Sequence, residues 1–123
     1  MSTFLLHSAA GLAILVGLAH SYLGERYVLI RLFRRSALPP LFGSDLFTRR
    51  TLRFAWHLTS VAWWGFAALL LQLPFAPTMP RIANTVAATF LVTALITAIG
   101  SRGRHLAWIV FLAIAAACWL AVR

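Results

Sequence analysis

Four histidines, two carboxylates and one cysteine make up the acid–base, ligand and thiol chemistry available to this chain of 123 residues. Three histidines stand out by position. His20 and His57 each fall about one helical turn inside the same end of an apolar run, and His105 opens a third run at that end; His7 lies alone near the opposite end. Ionisable side chains within apolar spans are costly and usually face a bundle interior. Neutral imidazole is also the commonest protein ligand for metals and a frequent axial ligand of haem. Two of the three would serve a bis-histidine haem b. All three, with Glu25 as a fourth ligand, would serve zinc, copper or iron. His57 is the first choice of ligand, being the deepest in its run with a polar neighbour, Ser60, on its own face. The competing expectation is three unrelated side chains, each contributing about a kcal/mol or less through interhelical hydrogen bonds.

The neighbours of these residues bear on the same choice. Ala9, Ala13 and Gly24 share the helical face of His20, with Gly17 at its edge, which leaves room for a flat macrocycle or for close approach of a second helix. Ser60, Trp64 and Ala68 share the face of His57, so Ser60 could bond an imidazole and Trp64 could pack on a porphyrin or quinone. Arg53, Arg102 and Arg104 lie near the inner histidines and could pair with propionates. Glu25 is expected to form a boundary ion pair with Arg26 or with an arginine of the second run, or else to ligate a metal or carry a proton. No carboxylate pair for hydrolysis and no glycine-rich phosphate loop is present. Cys118 is alone, which excludes an intrachain disulfide and reads as a buried thiol.

The elements that must position these residues are membrane spans. The chain is 62% hydrophobic and 11% charged. A soluble domain of this size cannot cover so much apolar surface, whereas lipid accepts it on every face of a helix. The predicted spans are residues 4–23, 54–73, 82–100 and 105–122, each close to the length needed to cross a hydrocarbon core. The first helix should continue past Gly24, with Arg26, Arg31, Arg34 and Arg35 reaching toward headgroups, and Pro39-Pro40 ends it. Ser44 or Asp45 is the expected cap of the second helix, and Thr78 that of the third, with Pro80 in its first turn. Thr85, Thr89, Thr93 and Thr97 recur every four residues, a ridge suited to close packing.

The net charge of +9 does not point to nucleic acid, because the arginines fall between the apolar runs and not on one soluble face. Nine arginines (26, 31, 34, 35, 49, 50, 53, 102 and 104) lie on one side and Arg81 and Arg123 on the other, which places the first side in the cytoplasm and both termini outside. No positive charge precedes the first run, so it is expected to be a retained helix, not a signal peptide. The expectation is therefore an all-α single domain over residues 1–123. It is an antiparallel four-helix bundle in a bacterial inner (plasma) membrane, with a basic cytoplasmic loop over 24–53.

Small multidrug transporters have the same size and number of spans but carry a carboxylate within the first span, whereas Glu25 sits at a boundary. The disulfide-forming quinone oxidoreductases need cysteine pairs. In general plan the chain resembles the cytochrome b561-like four-helix proteins, a resemblance that implies intramembrane histidines as haem ligands. The function expected from the residues is a haem- or metal-binding membrane protein with a redox or sensing role. The cofactor-binding candidates are His57, His105, His20, Arg53, Trp64 and Ser60, and the metal-binding candidates are His20, His57, His105 and Glu25. The alternatives are an accessory subunit or scaffold of a membrane complex, and a small proton-coupled transporter using Glu25 or a histidine. The expected partners are the bilayer, anionic lipid at the basic loop, and a second copy or a larger complex.

Overall fold

The computed structural model describes residues 1–35 and 38–123; two residues of the basic loop, 36 and 37, lie outside the described residues. Four helices account for most of the chain. Helix α1 runs Ser2–Phe33, α2 Leu46–Gln72, α3 Met79–Ser101 and α4 Ala107–Leu120. The apolar runs explain the first three. Long stretches rich in Leu and Ala favour helix, and the backbone groups between the helix ends bond within the segment, which is what a hydrocarbon environment requires. The boundaries follow the breakers. Asp45 and Thr78 occupy the residue before α2 and α3, although neither side chain makes the expected capping hydrogen bond, and Pro80 sits in the first turn of α3. Arg102 and Gly103 both adopt positive φ and end α3, with the Gly103 N–H bonded to the Ala98 carbonyl at 2.7 Å.

The helices α1, α2 with its short 3-10 extension to Phe75, and α3 are long and apolar enough to cross a membrane. The fourth differs from expectation. Its regular helix covers 14 residues, about 21 Å at the usual rise, because residues 102–106 are used by the turn out of α3. There the Trp108 indole donates to the Gly103 carbonyl at 3.3 Å.

Contacts between helices run antiparallel. Along the α1–α2 interface His7 meets Phe75, Gly17 meets Ser60 and Trp64, and Gly24 meets Trp56. Along α2–α3, Gln72 meets Thr85, Gly65 meets Thr89, and Phe54 meets Gly100. Phe90 against Phe111 continues the series to α4. The arginine-rich connections therefore gather at one end of the molecule and the two chain termini at the other. Each helix packs on its predecessor, and α1 and α4 share no substantial interface, so the arrangement is a row open between its first and last members. The outward faces carry large apolar side chains such as Phe4, Leu12, Phe66 and Ile99.

The threonine ridge of α3 bonds to its own helix. Thr85, Thr89, Thr93 and Thr97 each donate to the carbonyl four residues earlier at 2.8 to 2.9 Å, and Ser101 repeats the pattern at 2.7 Å. Thr89, Thr93, Thr97 and Ser101 are thereby satisfied within α3, while the Thr85 hydroxyl also accepts from Gln72 of α2 at 2.7 Å, which fits the packing expectation.

Candidate functional site

The polar residues of the α1–α2 interface form one connected chain at the arginine-rich end. Its first link is an ion pair, Arg53 Nη2 to Glu25 Oε1 at 2.9 Å, with the two side chains 50% and 32% exposed. The other oxygen of Glu25 lies 3.3 Å from His57 Nε2. His57 Nδ1 is 2.9 Å from Ser21 Oγ, and Ser21 is 2.7 Å from Ser60 Oγ. Ser60 is fully buried and reaches the Gly17 carbonyl at 2.8 Å. Glu25 thus pairs with an arginine of the second span, one of the two partners the sequence suggested.

The hydrogen inventory of this chain restricts its states. A serine hydroxyl has one proton to donate. If Ser60 donates to Gly17, then Ser21 donates to Ser60 and His57 must donate through Nδ1. Donation to Glu25 through Nε2 as well makes the ring an imidazolium. With a neutral ring protonated at Nε2, Ser21 donates to His57, Ser60 donates to Ser21, and the Gly17 carbonyl loses its partner. The same five groups accommodate two protonation states of His57 by reversing two hydroxyls.

Local geometry holds this chain in place. Helix α1 widens to a π turn over Gly24–Leu29, within which Glu25 sits. The Trp56 ring fills the space beside Gly24, where a Cβ would come within 1.9 Å of Nε1, and its indole N–H donates to the His20 carbonyl at 3.0 Å. Trp64 does the same one heptad away: it lies over Gly17 and donates to the Ile14 carbonyl at 3.3 Å. The room that the small residues leave on α1 is therefore occupied by two indoles from α2. Trp64, a cofactor candidate in the sequence, thus packs on α1 through Gly17 and Ile14. π turns of this kind recur at functional sites.

The remaining candidates go elsewhere. His20 stacks on Trp56 at 4.6 Å and meets the edge of Trp63 at 5.0 Å; its Nε2 is buried with no hydrogen-bond partner among the described residues. His105 packs between Phe47, at 5.9 Å, and Phe54, at 5.3 Å, and its Nδ1 accepts the Ala107 N–H at 3.4 Å. Of His20, His57, His105 and Glu25, only His57 and Glu25 touch. Among the described residues no group of three His, Cys, Asp or Glu side chains is disposed to hold a metal ion. The reason is azimuth. His20 and Ser21 sit at nearly the same depth on α1 but about 100° apart, and it is Ser21 that faces His57.

A cavity of about 530 Å³ adjoins the chain on the α2–α3 side, lined by His57, Arg49, Arg50 and Arg53 and by apolar residues that include Phe33, Phe54, Ile96 and Ile99. Its three cations are not equivalent. Arg49 is a clamp: Nη1 donates to the Phe33 carbonyl, Nη2 to the Arg35 carbonyl at 3.1 Å, and Nε to Asp45 Oδ2 at 2.8 Å. It thereby ties the last carbonyls of α1 to the first turn of α2. The Arg49 guanidinium holds the Asp45 carboxyl below its ordinary range through that hydrogen bond, and the Arg49 value rises for the same reason. Arg53 is shared with Glu25 and lies 5.0 Å from the centre of the Phe33 ring. Arg50 has no hydrogen bond or ion pair among the described residues. The sequence reading counted Arg49 and Arg50 among the charges of the arginine-rich side and missed both the clamp and the cavity. The only available signal for the clamp was Asp45 four residues before Arg49.

No family model matches this chain. No curated protein or solved structure matches it either. The functional reading therefore rests on the residues and their geometry.

Proposed function

We propose that this is an integral membrane protein of the bacterial inner membrane, with its arginine-rich end in the cytoplasm and both termini outside. It binds an amphipathic acid at His57 in a sensing or redox role. One observation carries the reading: His57 lines the roomy cavity beside α2 together with three arginines and an apolar wall. An intramembrane ionisable residue beside a cavity is a functional site by default. The chain from His57 through Ser21 and Ser60 to Gly17 gives the site a route into the helix packing, because a ligand that changes which ring nitrogen of His57 donates reverses hydroxyls at the α1–α2 interface.

Haem b is the redox-active member of this ligand class, with carboxylates for Arg50 and Arg53 and a flat apolar body for Phe33, Phe54 and Ile96. His57 is the ligand the cavity favours, and it would give up its contact with Glu25 to bind iron. His20 and His105 are not among the cavity's lining residues, so the geometry favours one histidine ligand over two. The test is an absorption spectrum of detergent-purified protein from haem-replete cells. A Soret band that disappears in His57→Ala and persists in His20→Ala supports haem at this site. A colourless preparation that also binds no added hemin removes haem from the reading.

The open row favours a second reading, an accessory subunit. With α1 and α4 unpaired and α4 short, a partner helix could complete the ring. Reproducible co-purification of one membrane protein from the native host would favour it, and a stable, ligand-bearing protein purified alone would count against it.

A further inference from the structure

We infer that the ligand of the His57 cavity is an anionic phospholipid of the adjoining leaflet, its phosphodiester held by Arg50 and Arg53 and one acyl chain laid along Ile96 and Ile99. The inference rests on the amphipathic-acid reading above and names the class of acid.

Charge sets the head of the ligand. The groups facing the cavity or bonded to those that do are Arg49, Arg50, Arg53, His57, Asp45 and Glu25. With His57 neutral, Asp45 offsets Arg49 and Glu25 offsets Arg53, which leaves one positive charge, that of Arg50. A phosphodiester carries one negative charge, which matches this excess; a phosphomonoester or a pair of propionates exceeds it. Arg53 adds a second donor, since one of its terminal nitrogens bonds Glu25 while the ring of Phe33 supports the guanidinium plane. Guanidinium favours such oxyanions over a point-charge ammonium because its donors form a planar fork.

The walls set the tail. Ile99 is 75% exposed and Leu46 45% exposed, so the apolar side of the cavity runs out onto the surface that faces lipid. A ligand entering there keeps its chains in the bilayer while its head meets the arginines. A freely soluble anion would gain nothing from Ile96, Ile99 or Phe54. The leaflet at a positive end is also the one where anionic lipid is attracted to basic segments.

The experiment is native mass spectrometry of the full chain in detergent, with phosphatidylglycerol or phosphatidylcholine added and the retained lipid counted. One phosphatidylglycerol retained in preference to phosphatidylcholine is expected. Arg50→Ala should weaken retention about fivefold, as for one interfacial arginine. Arg104→Ala, at the same end but outside the cavity, should leave it unchanged. Glu25→Gln should tighten retention by freeing Arg53 from its internal anion. Arg53→Ala combined with Glu25→Gln should weaken it without leaving an unpaired carboxylate. Equal retention of the two lipids, or equal loss in Arg50→Ala and Arg104→Ala, overturns the inference. Displacement of the lipid by inorganic phosphate alone also overturns it, since the apolar wall would then contribute nothing. A preparation that shows no preference for phosphatidylglycerol but binds hemin through His57 sinks the lipid and leaves the parent reading standing. Binding of neither acid sinks both.

Discussion

The α1–α2 interface and the α3 ridge solve the same problem in opposite ways. Both must hide hydroxyls in an apolar environment. On α3, Thr89, Thr93 and Thr97 turn back on the carbonyl of their own previous turn, so these rungs are independent of the next helix. Between α1 and α2, Ser21, Ser60, His57 and Glu25 satisfy one another across the interface, and the two indoles borrow carbonyls from α1. The first solution is mechanically silent. In the second, a change at one member alters the partners of the rest, which is why the functional reading is centred there.

The largest expected effect tests the close approach itself. Gly24→Leu must displace Trp56 and with it the π turn that carries Glu25. Overpacking of this kind costs about 1–3 kcal/mol, read as a lower unfolding temperature in detergent. Gly11→Leu, with nothing within 4 Å of the added Cβ, is the control and should be nearly neutral. Ser60→Ala comes next. It removes donors and acceptors shared between Ser21 and Gly17 and should cost about 1 kcal/mol, with clear non-additivity when combined with Ser21→Ala. Thr93→Ala, on the self-satisfied ridge, should stay within about 0.5 kcal/mol. Equal losses for Ser60→Ala and Thr93→Ala would erase the contrast between the two regions.

The smallest effect is in the connection between α1 and α2. The Asp45 carboxyl titrates below its ordinary value because Arg49 bonds it. Its contribution is therefore fully present above the unfolded carboxylate value. It is lost as the pH falls through the lower folded value. Hydrogen exchange in residues 38–45 should quicken at strongly acid pH with α3 unaffected, and Asp45→Asn should abolish the pH dependence. The segment has a defined turn to lose: Leu41 and Ser44 bond each other's backbones, and Phe42 and Gly43 take positive φ.

Much of the fold was legible in the residues. Apolar run length and the prolines at 39, 40 and 80 set three of the helices, and the spacing of the α3 threonines identified their ridge. Depth placed Glu25 level with the arginines that open the second helix but left Arg26 as an equal candidate, and the structure pairs Glu25 with Arg53. Depth was also where the reading of the histidines failed to reach further. Run position places His20, His57 and His105 at one level, but rotation about each helix axis is decided by what packs there. Trp56 against Gly24 fixed that rotation for α1 and sent His20 toward indoles. The π turn packs against a contact between segments far apart in sequence, Gly24 with Trp56, which no local pattern records. The Arg49 clamp had a local sign only in Asp45, its carbonyl partners Phe33 and Arg35 lying across the connection, and α4 is shortened by the local turn over residues 102–106.

The in-order row has a consequence for how the molecule is made. Each helix rests on the one synthesised just before it, so no helix has to wait for a distant mate. The chain can build by successive hairpin closure, with the indoles of α2 docking on α1 before α3 exists. Short-range topology of this sort favours fast assembly. The histidine-to-serine connection can thus be complete when only about the first three-fifths of the protein has been made.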